Sequence, residues 1–421
     1  MITAEENRQL TETGPGTPGG ELMRRYWHPI ARSTEVVQGG APVPVRFFSE
    51  DLVMFRDDAG RVGLLGRLCS HRRVDLSYGR LEDGGLRCLY HGWLYDVNGK
   101  CLDAPAEDDN SNIKVDVQHP AYPCTERAGL IFAYFGKGQA PAFPEYEFLN
   151  AGEAHTCISK LYIDCNWLQS LEGNIDPAHL SYLHSSVKEV DSRPVPGAKQ
   201  SADHFYTGDR RPVLEVRPTK FGLRIYSIRR SGDDANYLRV TNFVMPNKAA
   251  IVGNEGRIGE GFSVHWHVPI DDTHHIRFDV VFNRKRPMDK EAHARRGSEE
   301  ITAEGRLVRT QANRYLQDRE EMATKNYSGM GGFFMVHDSF ATETPGAIHD
   351  RTKEYLGATD IAIVRARQQI LRGIRDIEEG KQPLHANGEE YDEIVVVSKV
   401  IPRTEDHVEY WRKFAEETAV N

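Results

Sequence analysis

Short runs of alternating or uniformly apolar residues fill the chain from about 43 to 140 and predict β structure. Val43-Pro44-Val45-Arg46-Phe47-Phe48, Asp51-Leu52-Val53-Met54-Phe55-Arg56 and Val62-Gly63-Leu64-Leu65 have strand length and strand pattern. Asp57-Asp58-Ala59-Gly60 and Asp96-Val97-Asn98-Gly99 supply hairpin turns between them. Before this region, Gly14-Pro15-Gly16-Thr17-Pro18-Gly19-Gly20 reads as a loop, and Glu21–Trp27 as a short helix stopped by Pro29. The polar segment 102–114 reads as an exposed loop. A second unit begins near 150, where 221–228, 237–243 and 276–282 alternate as antiparallel strands. After Thr359, Ile363, Ile370, Ile374 and Ile377 recur at helical spacing, with Gly380 as a stop. The pattern predicts an α+β chain in three parts. Segment 1–40 packs on the larger unit, 41–145 forms a small all-β domain, and 146–421 forms a larger domain of antiparallel sheet and helices.

Composition narrows the class. In 421 residues, 39% hydrophobic and 27% charged content is ordinary for a globular protein. The net charge of −9 argues against a nucleic-acid binder. Six cysteines are too few for a disulfide scaffold. No apolar run approaches the roughly 20 residues that span a bilayer. The start, Met1-Ile2-Thr3-Ala4-Glu5-Glu6, lacks a signal pattern. A cytoplasmic enzyme without membrane attachment is the expectation.

Two constellations carry candidate chemistry. Cys69-Ser70-His71 is followed by Cys88-Leu89-Tyr90-His91. Each half sets a thiolate and an imidazole on one tight loop. A tetrahedral zinc site and a Rieske [2Fe–2S] centre both use two sulfurs and two imidazole nitrogens. Zinc fingers pair Cys with Cys and His with His, whereas one of each per loop suits a dinuclear cluster. Gly84-Gly85 and Gly92-Trp93 flank the second loop, offering close backbone approach and a bulky shield. Cys101, Cys124, Cys157 and Cys165 lack such partners and read as packing residues.

The second constellation is Asp176-Pro177-Ala178-His179 with His184. Asp-Pro is by itself a helix-start signature. Two histidines five apart lie roughly 140° apart on an ideal helix, so sharing a metal requires a bulge or break between 179 and 184. Without a metal, one imidazole faces the core and the other solvent; this segment alone leaves the two readings level. Two histidines and a carboxylate form the facial triad of non-haem Fe(II) oxygenases. Asp338, after the apolar run Phe333–Val336, is the candidate acid, with Glu343, Asp350 and Asp360 competing.

Residues 69–93 resemble the Rieske motif of the ring-hydroxylating oxygenases. That family carries Pro between the first Cys and His, and Arg-Gly after them; here Ser70 and Arg72-Arg73 stand there. Asp-x-x-His-x₄-His, preceded by Asn166-Trp167 and Glu172-Gly173, is similar to the family's mononuclear iron motif. Gly14–Pro18, Leu168–Gly173, Gln317-Asp318-Arg319, His349–Thr352 and Leu356–Asp360 bring the chain nearest the phthalate 4,5-dioxygenase group. The resemblance implies a helix-grip-like larger domain. It makes Cys69, His71, Cys88 and His91 the cluster ligands, and His179, His184 and Asp338 the iron ligands with Glu343 behind. Asp176 becomes the acid bridging the two metal centres. It further implies a homotrimer or stacked trimers and an oxygenase component that hydroxylates an aromatic, preferably carboxylated, substrate with O₂. Electrons come from a separate NAD(P)H-dependent reductase, with or without a ferredoxin; no dinucleotide fingerprint is present in this chain. O- or N-demethylation is the alternative reaction, and a Rieske electron-transfer protein or a zinc-stabilised binding protein the more distant ones. Arg210, Arg211, Arg229, Arg230 and Arg239 are candidate partners for a substrate carboxylate. Arg239 leads them because it sits between Leu238 and Val240 in an alternating strand. Asn174 and Ser181 are further pocket candidates.

Overall fold

The computed structural model describes residues 2–108, 110–187, 202–253, 260–295, 297–386, 388 and 393–419. They divide into two compact units. One comprises Glu12–Phe143 and Val268–Asp272, the other Met1–Thr11, Pro144–His267 and Thr273–Asn421. Segment 1–40, expected to pack as one piece on the larger unit, therefore divides after residue 11. The reason is hydrogen bonding: Thr17 caps a helix over Pro18–Met23 through the N–H of Gly20, and strand β1 (Trp27–Arg32) pairs with β10 (Leu130–Tyr134). The helix expected at 21–27 thus begins and ends earlier, and Pro29 lies in a strand. β1 is the edge of its sheet and shifts register between Pro29 and Ala31, so the missing proline N–H breaks no central ladder.

The smaller unit is three small antiparallel sheets. They are β1-β10-β9 (β9, Cys124–Arg127), a sheet of β2 (Val43–Phe47), β3 (Glu50–Arg56) and β4 (Val62–Gly66), and a four-stranded one. The last joins β5 (Arg80–Glu82), β6 (Gly85–Arg87), β7 (Leu94–Tyr95) and β8 (Cys101–Asp103). Both predicted turns close, with Gly60 N–H on Asp57 O at 3.0 Å and Gly99 N–H on Asp96 O at 3.0 Å. Within the segment read as a loop, 102–114, β8 takes the first residues and a short helix begins at Ile113; Asp109 lies outside the described residues. Val53, Phe55, Leu65, Leu76, Leu86 and Tyr95 form a core around Cys69 and Cys88.

The larger unit is built on an antiparallel sheet of eight strands in the order β11-β17-β16-β15-β14-β13-β12, with β18 paired to β14. These are β11 (Thr156–Ile163), β12 (Val213–Pro218), β13 (Gly222–Arg230), β14 (Ala235–Val244), β15 (Lys248–Ile251), β16 (Ser263–Pro269), β17 (His275–Phe282) and β18 (Val397–Pro402). Alternation along β13 and β14 separates two buried faces rather than core from solvent. Tyr226, Leu238 and Val240 pack with Trp411 of the helix His407–Ala419. On the other face, Arg229 reaches Ser181 and Arg239 reaches Tyr206. The helix predicted after Thr359 spans Ile361–Glu378, buries Ile370 and Ile374, and stops at Gly380 with φ +74°. Among the described residues no helix is long and apolar enough to cross a membrane.

Candidate functional site

In the smaller unit, Cys69 and Cys88 occupy two turns of the same design. Each cysteine N–H bonds the carbonyl five residues on (Val74, Trp93), and each cysteine carbonyl accepts from the residue four on (Arg73, Gly92). That fourth residue is left-handed in both, at φ +61° for Arg73 and +77° for Gly92. Glycine takes this conformation freely; a Cβ on Gly92 would also come 2.8 Å from Pro105 Cγ. The thiols are buried, and the His71 and His91 rings lie 4.4 Å apart, centroid to centroid, at a partly exposed edge. Trp93 stacks on His71 at 4.6 Å. Burial, with Cys69 close by, pushes the Cys88 thiol up, against hydrogen bonds from the Tyr90 and His91 backbone. Two crowded buried sulfurs below two exposed imidazoles suit a cluster whose inner iron takes thiolates and outer iron nitrogens. Two neighbours were not legible in sequence. The Tyr95 hydroxyl lies 3.2 Å from Cys69 Sγ. Ser70, at the family's proline position, donates to His119 Nδ1 at 2.7 Å, while His119 Nε2–H serves Gly66 O at 2.8 Å.

In the larger unit, the helix Trp167–Asn174 ends before Asp176. Asp176 Oδ1 accepts from Ala178 N–H at 2.7 Å, as the Asp-Pro signature predicts. No α-helix follows: a single 3₁₀ turn spans His179–Ser181, and Tyr182 breaks it at φ −128°, ψ −66°. This is the break that lets both imidazoles face one way, with ring centroids 5.1 Å apart. Asp338, on the helix Phe334–Glu343, completes the group. Its Oδ1 lies 2.9 Å from His184 Nε2 and 4.0 Å from His179 Nε2, and one donor atom from each residue lies within 4.8 Å of the others. Metal bonds of about 2.1 Å set ligands at right angles about 3 Å apart, so the set fits a first-row metal with open positions. Burial works against the charge of Asp338, but His184, His179 and Arg277 hold its carboxyl well below the usual range. His179 is partly buried, which works against its charge, yet Asp176, 3.6 Å from its Nδ1, and Asp338 raise its proton affinity. The competing acids are engaged elsewhere: Glu343 accepts from the Tyr315 hydroxyl, Asp350 pairs with Lys353, and Asp360 accepts from Gly357 N–H.

A cavity of about 220 Å³ reaches this group between the two helices, lined by Asn174, Asp176, His179, Arg277, Asp338 and Thr342 among others. The Asn174 amide lies 2.9 Å from His265 Nδ1 and 2.8 Å from His267 Nε2, and His267 continues to His275 at 3.3 Å. Burial keeps these imidazoles neutral, with His265 and His275 pushed down to about 4. Beside the cavity, Glu172 is clamped by Arg351 at 2.8 Å and Arg367 at 2.6 Å. Ser181 and Arg239, also expected at the pocket, are not among the residues that line this cavity; they lie on the sheet face that carries Arg229. Arg229 is fully buried and bonds Pro177 O at 2.7 Å, Ser227 Oγ at 2.8 Å and Ser181 Oγ at 3.1 Å. Arg239 donates to the Tyr206 hydroxyl at 2.9 Å. Among the described residues neither guanidinium has a carboxylate within ion-pair distance. Arg210, Arg211 and Arg230 are exposed. His337, which no sequence feature singled out, lies 3.2 Å from His184 Nδ1.

Residues 26–122 match the Rieske [2Fe-2S] domain family, and residues 133–421 match the family described as LigXa C-terminal domain like. The chain is 38% identical to the phthalate 4,5-dioxygenase oxygenase subunit of Pseudomonas putida, over 91% of this chain and 89% of that one. It is 33% identical to the 3-chlorobenzoate-3,4-dioxygenase oxygenase subunit of Comamonas testosteroni, over 89% of each. It is also 33% identical to the 5,5'-dehydrodivanillate O-demethylase oxygenase subunit of a Sphingobium species, over 91% of this chain and 83% of that one. In fold it is similar to dicamba monooxygenase bound to dicamba, with a TM-score of 0.59 at 18% identity, covering 85% of this chain and 99% of that one. The oxygenase of a carbazole 1,9a-dioxygenase–ferredoxin complex gives 0.55 at 20% identity, covering 87% and 93%.

Proposed function

The chain belongs to the Rieske non-haem iron oxygenases, and from that premise we propose that it hydroxylates an aromatic carboxylate. It is an oxygenase component whose cofactors are a [2Fe–2S] cluster and a mononuclear iron. We assign the cluster to Cys69, His71, Cys88 and His91, and the mononuclear iron to His179, His184 and Asp338. When bound, these groups supply single electrons and a site for O₂. The smaller unit is then the cluster domain and the larger unit the oxygen-activating domain.

One observation carries the substrate reading: Arg229 and Arg239 are buried on the sheet face that meets Ser181, between the two iron histidines in sequence, and among the described residues neither has a carboxylate partner. Burying two guanidiniums without a counter-charge is costly, and an incoming carboxylate relieves that cost with charge-assisted hydrogen bonds. Ser181 accepts from Arg229 and fixes that guanidinium in place. On the cavity wall, Asn174 is held by His265 and His267 and presents a neutral amide. Asp176 is assigned as the acid that links His179 to the partner subunit's His91, in a trimer or pair of stacked trimers. Its carboxyl stays ionised because His179 and the Ala178 N–H outweigh burial. Electrons are proposed to come from a separate NAD(P)H-dependent reductase, directly or through a ferredoxin, and the protein to work in the cytoplasm, in keeping with six free cysteines. O-demethylation is the second reading, favoured by the 33% identical demethylase subunit.

The test is substrate-dependent O₂ uptake with a surrogate reductase over aromatic acids, their neutral amides and aryl methyl ethers. Acids turned over in preference to amides, with KM raised about tenfold or more in Arg239→Met, is the expected result. Equal use of acids and amides, unmoved by Arg239→Met, overturns the carboxylate assignment. Formaldehyde in place of a hydroxylated ring product selects demethylation.

A further inference from the structure

The donor and acceptor roles around His337 can be fixed one atom at a time. Gly329 N–H donates to Asn326 Oδ1 at 2.7 Å, so that oxygen is an acceptor. The Ser328 hydroxyl also contacts Asn326 Oδ1, at 3.0 Å, and its one proton is therefore spent there. Ser328 Oγ can then only accept, as it does from Met330 N–H at 3.3 Å. His337 Nε2 lies 3.0 Å from this oxygen and 2.9 Å from the carbonyl of Gly331, which also can only accept. His337 Nε2 must carry the proton.

His337 is buried, with Nε2 held by Ser328 and Gly331 and Nδ1 turned to His184. A neutral imidazole protonated at Nε2 has a bare Nδ1. That atom faces His184 Nδ1 at 3.2 Å. The contact is a hydrogen bond only if His184 Nδ1 carries its own proton. The lone pair of His184 is then on Nε2, the atom 2.9 Å from Asp338 Oδ1.

We propose that His337 is a positioning residue that fixes the ring tautomer and orientation of His184, leaving Nε2 of His184 as the bare ligand atom beside Asp338. This rests on reading His179, His184 and Asp338 as the metal set. The loop carbonyl of Gly331 and Ser328 fix His337, and His337 fixes His184, so segment 326–331 acts on that ligand through His337. Outer partners of this kind set the affinity of a metal site by 10- to 100-fold.

The test uses the intact protein with its cluster in place, the mononuclear iron removed by chelation, and Co²⁺ titrated against a competing chelator by its visible ligand-field bands. His337→Phe removes the acceptor at similar volume, and about 10- to 100-fold weaker Co²⁺ binding with shifted bands is expected. His337→Asn places an amide oxygen where Nδ1 was and is expected to restore affinity to within a few fold. The cluster's visible spectrum serves as the fold control, and His337→Met replaces His337→Phe should the latter lose it. Co²⁺ binding by His337→Phe or His337→Met as tight as in the unsubstituted protein overturns the proposal. So does His337→Asn binding as weakly as His337→Phe, since that marks a packing role. An unsubstituted protein that takes up no Co²⁺ refutes the metal triad itself, a separate result.

Discussion

The two loops assigned to the cluster and the triad assigned to the iron hold their side chains still by opposite means. Residues 69–91 contain all four proposed cluster donors on two copies of one turn, each closed by its own backbone hydrogen bonds. The triad draws on residues 179, 184 and 338, and its geometry depends on helices, a broken 3₁₀ turn and ion pairs contributed from 326 to 367. Short loops close at little entropic cost and hold their donors by local geometry. Donors far apart in sequence need a packed scaffold, so the triad depends on the fold of the whole larger unit, and the cluster loops depend on a few special dihedral angles.

The comparison breaks most directly at Asp338. Asp338→Ala is expected to lower turnover by at least about 10³-fold, beyond the 10- to 100-fold of an outer-partner change. Iron content should fall to that of the cluster, with the cluster spectrum unchanged; loss of the cluster as well shows that the two regions are not independent. Next is Glu172, which supports the triad at a distance. Glu172→Gln strands the buried Arg351 without a carboxylate, while Arg367 keeps Glu354 at 2.6 Å, and a loss of about 3 kcal/mol is expected in urea unfolding. Its pH dependence has a definite sign. Burial opposes ionisation of Glu172, but the two arginines lower its pKa below the ordinary 4.5. Its stabilisation is thus full above pH 4.5 and disappears as pH falls through the lower folded value. A variant whose stability tracks the parent's at every pH contradicts this.

Asp176→Asn separates metal retention from electron delivery. Both metals should stay, because Asn keeps the turn to Ala178, while kcat falls by about 100-fold; full activity removes Asp176 from the link between centres. The smallest effects probe the loops. Gly92→Ala forces a Cβ onto a left-handed residue 2.8 Å from Pro105, for a loss of about 1–2 kcal/mol in thermal unfolding. Arg73→Gly relieves the matching strain in the first loop, for a gain of about 0.5 kcal/mol. If both changes destabilise equally, the two turns are not equivalent.

The legibility of the two regions follows the same division. The turn residues at 57–60 and 96–99 and the Cys-x-His and Cys-x-x-His pairs were readable because each signal is short-range. The helix at 361–378 was readable because its isoleucines repeat at its own period. Trp27–Arg32 was misread, since Pro29 suits a helix stop and an edge strand equally and only pairing with β10 decides. Arg239 led five candidate arginines and Arg229 stood level with the exposed Arg210, Arg211 and Arg230, although both Arg229 and Arg239 are buried; both faces of β13 and β14 are covered, so alternation no longer separates inside from outside. His337 carried no signal at all: its role comes from a carbonyl and a hydroxyl six and nine residues away that have no spacing rule.

What the sequence determined by itself is therefore the chemistry held in short windows: the paired Cys/His loops and the Asp-Pro-x-His turn. Tertiary structure decided which of four acids joins His179 and His184, which arginines are buried, and which nitrogen of His184 is left bare. The physical reason is range. Turn geometry and helix period act over a few residues, whereas a third ligand, an uncompensated charge and a ring tautomer are set by whatever distant groups the packed sheet and helices bring within hydrogen-bond distance.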